Sequence, residues 1–194
     1  ATMAEYTQGN DRLHMAYSFE LLTDDYSAKY IRETVQALEG RIGDGWPCWA
    51  IGNHDVQRVA TRWGKGKASV DMVKMLNAML CSLRGSVCSY QGEELGLTEA
   101  EISFEQLQDP FGIAFWPMFK GRDGCRTPMP WQEHEHHAGF SAGEPWLPIA
   151  KEHYSMSVAS QERLPDSILS SYKTFLAWRK LHLPLISGDV CFVD

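Results

Sequence analysis

The sequence predicts an α/β fold of parallel strands, and three observations point to it. Short apolar or aromatic runs alternate with amphipathic helical stretches in the order strand, helix, strand, helix, strand, which is the pattern of βαβ units. A long aperiodic stretch, from about Leu97 to Pro165, precedes one more helix, and loops of this length in compact domains are commonly functional. Three parallel strands alone would leave unpaired edges, which native proteins avoid by pairing, covering or closing the sheet. The expectation is therefore the last three βα units of a closed TIM (β/α)8 barrel, with a long loop insert and the start of a C-terminal β domain behind it. On this reading the chain is a fragment. Residues 1–183 belong to the C-terminal half of the barrel and 184–194 begin the following domain.

The elements follow in order. Leu13 to Phe19 is short, apolar and aromatic, and reads as the first strand. Ser27 is placed to cap a helix running through Gly40, with Tyr30, Ile31, Val35 and Leu38 on one face. Gly43, Gly45 and Pro47 break that pattern, and Cys48 to Gly52 forms a second, buried strand. Ser69 caps the next helix, where Val70, Val73, Leu76 and Leu80 keep helical spacing until Gly85. Ser86 to Tyr90 supplies the third strand. Pro165-Asp166-Ser167 opens a helix carrying Ile168, Leu169, Tyr172, Phe175, Leu176 and Leu181, and Pro184 and Gly188 stop it. Val190 to Val193 reads as a strand.

Composition narrows the function classes. Of 194 residues, 44% are hydrophobic and 22% charged, which suits one ordinary globular core. A net charge of -7 disfavours nucleic acid as a partner, since its binders concentrate Lys and Arg. No apolar run approaches the roughly 20 residues that span a bilayer, so no membrane partner is expected. The five cysteines are scattered, without metal-ligand spacing, and read as free thiols in a reducing, cytoplasmic compartment. His134, His136 and His137 lie together in a polar, Gly-flanked stretch and lack helical zinc-site spacing, so no metal site is assigned. Trp46, Trp63, Trp116, Trp131 and Trp146 sit in loop-like contexts, where aromatic faces can line a cleft for sugar rings.

The chemistry concentrates in Gly52-Asn53-His54-Asp55-Val56-Gln57-Arg58, directly after the second strand. Polar residues at the C-terminal end of a barrel strand point into the active-site mouth. A carboxylate beside an imidazole there stabilises positive charge or grips hydroxyls. The plainer alternative, equally weighted on chemistry alone, is a loop Asp that caps the next helix while His54 packs.

Three motifs carry a family resemblance. Gly52-Asn53-His54-Asp55 resembles the fourth signature region of the α-amylase superfamily, at the end of its seventh strand. Tyr90-Gln91-Gly92-Glu93-Glu94-Leu95-Gly96 is similar to its motif after the eighth strand, and Gly121 to Trp131 to the long insert of its α-glucosidase branch. Met3 to Tyr6 and the Leu13–Leu22 segment look like the sixth strand and its approach, so the resemblance covers essentially the whole chain.

The resemblance implies that Asp55 is the third catalytic carboxylate, which stabilises the transition state. It implies that His54 binds the same sugar and that Arg122 blocks the far side of the glucose subsite. Asn53 and Arg58 join the expected substrate-binding set, although Arg58, like Glu93 and Glu94, is expected nearer to a structural role at the barrel mouth. The implied function is part of a retaining, exo-acting α-glucosidase acting on α-glucoside oligosaccharides or disaccharides. The family's nucleophile and acid/base lie after its fourth and fifth strands, so the isolated chain is expected to be inactive. No cofactor is expected in this chain, the family's divalent-cation loop also lying upstream. Alternatives are a transglucosylase or a sucrose or trehalose isomerase, and, from another class, a non-catalytic glucosidase-like partner protein. Exposed strand edges suggest a homodimer.

Overall fold

The computed structural model describes residues 2–9 and 11–193. A short helix, α1 (Thr2–Thr7), leads to β1 (Ala16–Tyr17), and α2 (Ala28–Ile42) returns the chain to β2 (Pro47–Trp49). After α3 (Val59–Arg62), α4 (Val70–Ser82) leads to β3 (Ser86–Val87). The strands form one parallel sheet in the order β1-β2-β3, with Tyr17 opposite Cys48 and Trp49 opposite Val87. Helical crossovers between parallel neighbours are what the alternation of periods requires. All three strands stand where expected, but their ladders are shorter. Leu13, Met15 and Phe19 are exposed, so only the middle of the first run pairs.

Serines start the three long helices. The Ser27, Ser69 and Ser167 side chains accept hydrogen bonds from the backbone N–H groups of Tyr30, Met72 and Ser170, at 3.2, 3.2 and 3.0 Å. Each satisfies a donor that the first turn leaves without an intrahelical partner. The predicted face of α2 packs on a core built around Leu21, Trp49, Ile51 and Trp63. Val73, Leu76 and Leu80 of α4 are buried, whereas Val70, in its first turn, is half exposed.

The stretch from 97 to 165 is mostly loop, with 3-10 turns and three short helices, α5 (Pro110–Phe115), α6 (Lys151–Ser155) and α7 (Val158–Glu162). Behind it, α8 (Ile168–Leu181) packs along α4. From α8, the buried Arg179 reaches the backbone carbonyls of Cys81, Leu83 and Gly85 and so closes the C-terminal end of α4.

As expected, α8 stops ahead of Pro184, and a further short helix, α9 (Pro184–Ser187), follows, proline being suited to a first helical position. One expectation needs correction here. Val190 to Val193 forms no strand. The tail instead lays Val190 and Phe192 on the core, with the Arg32 guanidinium 5.6 Å from the Phe192 ring, and finds no strand to pair with. All five cysteines are free. Among the described residues no helix is long and apolar enough to cross a membrane.

Candidate active site

The site begins where β2 ends. Trp49, Ala50 and Ile51 are fully buried, and the chain then turns at Gly52. A Cβ on Gly52 would sit 2.3 Å from Glu93 Oε1, so only glycine lets the loop pass this carboxylate. Asn53 Oδ1 accepts the Asp55 N–H at 2.8 Å, a side-chain turn that brings the next two residues out of the core. The His54 side chain is 66% exposed and that of Asp55 46%. The plainer sequence reading, with His54 packed, is therefore not what the loop does.

Two arginines converge on Asp55. Its Oδ1 accepts Arg122 Nη1 at 3.1 Å and Arg126 Nη2 at 3.2 Å, while His54 Nε2 lies 3.5 Å from Oδ2. Arg126 also donates through Nε to the His54 carbonyl at 2.8 Å, tying the loop's backbone and its carboxylate to one side chain. Arg122 is itself held by Asp109, whose Oδ2 and Oδ1 accept Nε at 2.8 Å and Nη2 at 2.9 Å. These hydrogen bonds hold the buried Asp109 carboxyl well below the usual carboxylate range, although burial opposes them.

The structure brings Asn53, His54, Asp55 and Arg122 together at one surface. Arg58 lies behind them. It is 3% exposed, donates through Nη1 to the Gln91 carbonyl at 2.7 Å and stacks on the Tyr90 ring, and burial lowers its pKa. Direct contact with a substrate is not what this position offers; it supports the loop. Arg62, next to it on α3, donates to the carbonyls of Thr23, Ile51 and Gln57 and so joins the ends of β1 and β2.

Glu93 and Glu94 satisfy loop amides, as expected, accepting the N–H groups of Tyr90 and Gly92 at 3.0 and 2.8 Å. Glu93 also accepts the Ser89 hydroxyl, and burial pushes its carboxyl up to about 7. Asp123 is fully buried and accepts the N–H groups of Gln108 and Asp109. Asp109, Asp123 and Glu93 are thus enclosed, whereas Asp55 is open to a ligand. Among the described residues no group of three or more His, Cys, Asp and Glu is placed to hold a metal. His137 Nε2 lies 3.7 Å from Glu144 Oε1, and its ring leans on that of His136.

Sequence reasoning missed Arg126, Asp109 and Arg62. The Arg126 signal was within reach, since Arg122 and Arg126 share one short motif. For Asp109 and Arg62 the deciding fact is burial, which depends on distant segments.

The family described as alpha amylase, catalytic domain, matches residues 1–188. The chain is 50% identical to a probable alpha-glucosidase of Rhizobium meliloti over 192 residues, covering 98% of this chain and 35% of that protein. It is 30% identical to an oligo-1,6-glucosidase of Parageobacillus thermoglucosidasius, covering 94% and 38%. Among solved structures, the alpha-glucosyl transfer enzyme XgtA superposes with a TM-score of 0.93 at 58% identity, over all of this chain and 36% of that one. The chain therefore spans about a third of the length of the proteins it matches.

Proposed function

As the chain belongs to the alpha amylase catalytic-domain family, we propose that it supplies the sugar-gripping part of a retaining α-glucosidase. That enzyme removes single glucose units from the non-reducing ends of α-linked oligosaccharides or disaccharides. The observation that carries this reading is the open Asp55 carboxylate at the end of β2, held by Arg122 and Arg126 beside His54. A carboxylate so held accepts sugar hydroxyls, and such bonds strengthen as positive charge develops on the ring, contributing several kcal/mol. Arg122, fixed from behind by Asp109, closes one side of the subsite, and a closed pocket admits only a chain end.

Retaining hydrolysis needs a second pair of carboxyl groups about 5–5.5 Å apart, a nucleophile and an acid/base. Asp55, engaged by Arg122 and Arg126, is neither of these, and we assign both to the part of the matched proteins that this chain does not span. The edges of the sheet, β1 and β3, are where the other strands of the barrel join. In the isolated chain the same edges pair two copies, which light scattering would detect as a dimer. Five unpaired thiols support a reducing compartment such as the cytoplasm.

A second reading is glucosyl transfer to an acceptor other than water, favoured by the 58% identity to an enzyme of that description. The test is product analysis of the intact protein on p-nitrophenyl α-glucoside and maltotriose. Release of glucose, first as the α-anomer and one unit at a time, is expected. Products longer than the substrate would favour transfer, and no reaction with any α-glucoside would refute both readings.

A further inference from the structure

Asp109, which caps α5, carries a fully buried carboxylate. Burying a charge is costly unless it is paired and hydrogen-bonded. Asp109 meets both conditions through one residue. It takes Nε and Nη2 of Arg122 as a fork and accepts the Arg122 backbone N–H at 2.8 Å. Its Oδ1 also caps α5 by accepting the Phe111 N–H, and its own N–H is held by Asp123.

The approach depends on bare backbone. A Cβ on Gly112 would lie 2.9 Å from the Gly121 Cα, and one on Gly121 would lie 2.8 Å from the Gly112 Cα. This glycine contact presses α5 onto the segment that carries Arg122, bringing Asp109 within reach. With the Nε–Nη2 edge of the guanidinium occupied, Nη1 is left pointing at Asp55, 3.1 Å away. A planar fork held at two points has little freedom to turn.

We propose that Asp109 is a positioning residue: its fork on Arg122 aims the Nη1 edge at Asp55 and at the glucose bound beside it, and thereby sets affinity for the chain end. The proposal rests on the α-glucosidase reading for its substrate, but the orientation of Arg122 can be tested apart from it.

The experiment compares Asp109→Asn, Arg122→Lys and the double variant with wild type in the intact protein. Asn caps helices as well as Asp does, so Asp109→Asn removes the charge and leaves α5 capped. KM for p-nitrophenyl α-glucoside should rise about tenfold or more while kcat falls by less, the signature of lost binding as opposed to lost folded enzyme. Lys cannot reach both carboxylates, so Arg122→Lys should behave alike and the double variant no worse than either. An unchanged KM in Asp109→Asn, or losses that multiply in the double variant, would overturn the proposal. If Asp109→Asn does not fold, Asp109→Ser, which keeps a capping oxygen but supplies no carboxylate fork, substitutes, and a wild-type KM in that variant would overturn it equally. Should the wild type prove inactive on every α-glucoside, the α-glucosidase reading fails. The proposal is then decided by a crystal structure of Asp109→Asn: Arg122 turned away from Asp55 supports it, and Arg122 unmoved refutes it.

Discussion

Replacing Glu93 by Gln should alter the pH dependence of stability in a way that can be worked out from its surroundings. Glu93 is 4% exposed; one carboxyl oxygen accepts from Ser89 and Tyr90, and the other has no hydrogen-bond partner among the described residues. Burial, the dominant cause, pushes its carboxyl from 4.5 up to about 7, with Glu94 adding repulsion and Arg62 opposing it. An acid whose value is higher folded than unfolded binds more protons when folded. Its contribution to stability is therefore fully present below about pH 4.5 and is lost as pH rises through about 7. At about 1.4 kcal/mol per unit, the whole swing is about 3 kcal/mol. Gln does not ionise. Its NH2 group, facing the position that now lacks a partner, costs about 1–3 kcal/mol at any pH, and this offset cancels when two pH values are compared. Denaturant unfolding of wild type and Glu93→Gln at about pH 4 and about pH 8 gives the comparison. The variant should gain about 3 kcal/mol on wild type between the two conditions. An equal difference at both would show that Glu93 titrates as an ordinary carboxyl and refute the argument.

Other perturbations test other parts of the structure. Gly52→Ala drives a methyl group into Glu93 Oε1 at 2.3 Å, and overpacking of this kind should cost about 1–3 kcal/mol by calorimetry. Ser167→Ala removes the cap of α8, with its bonds to the Ser170 N–H and the Gln161 carbonyl, and should cost about 1–2 kcal/mol in the same measurement. Arg126→Ala frees the His54 carbonyl and one side of Asp55. Steady-state kinetics of the intact protein should then show kcat/KM lower by about tenfold to a hundredfold.

What the sequence disclosed follows from which forces are local. The serine caps at 27 and 69 and the buried stripe of α2 depend on neighbours within one or two turns, and each was found where the pattern placed it. The parallel order of β1, β2 and β3 also follows from alternating periods. Strand length is different, since a ladder ends where its partner ends, and the three runs pair over two or three residues only. The 190–193 run has strand composition but no partner, so it packs as an extended tail. At the site, Asp55, His54 and Arg122 were marked by motif. Asp109 and Arg62 were not, because a buried charge is defined by segments distant in sequence: Asp109 is enclosed by residues 121–123, and Arg62 by the ends of two strands. Arg58 stood between two readings, in the substrate-binding set yet expected nearer to a structural role, and its burial beneath Tyr90 and Gln91 agrees with the second.

The central claim is that Asp55 grips the sugar and stabilises the transition state of glucoside cleavage. It is tested most directly by kcat/KM of the intact protein on p-nitrophenyl α-glucoside, for wild type and for Asp55→Asn. Asn keeps the size of the side chain and its exposed position, so folding should be preserved and is checked by circular dichroism. With several kcal/mol of transition-state stabilisation lost, kcat/KM should fall by about a thousandfold or more. A correctly folded Asp55→Asn protein whose kcat/KM stays within about tenfold of wild type would contradict the account.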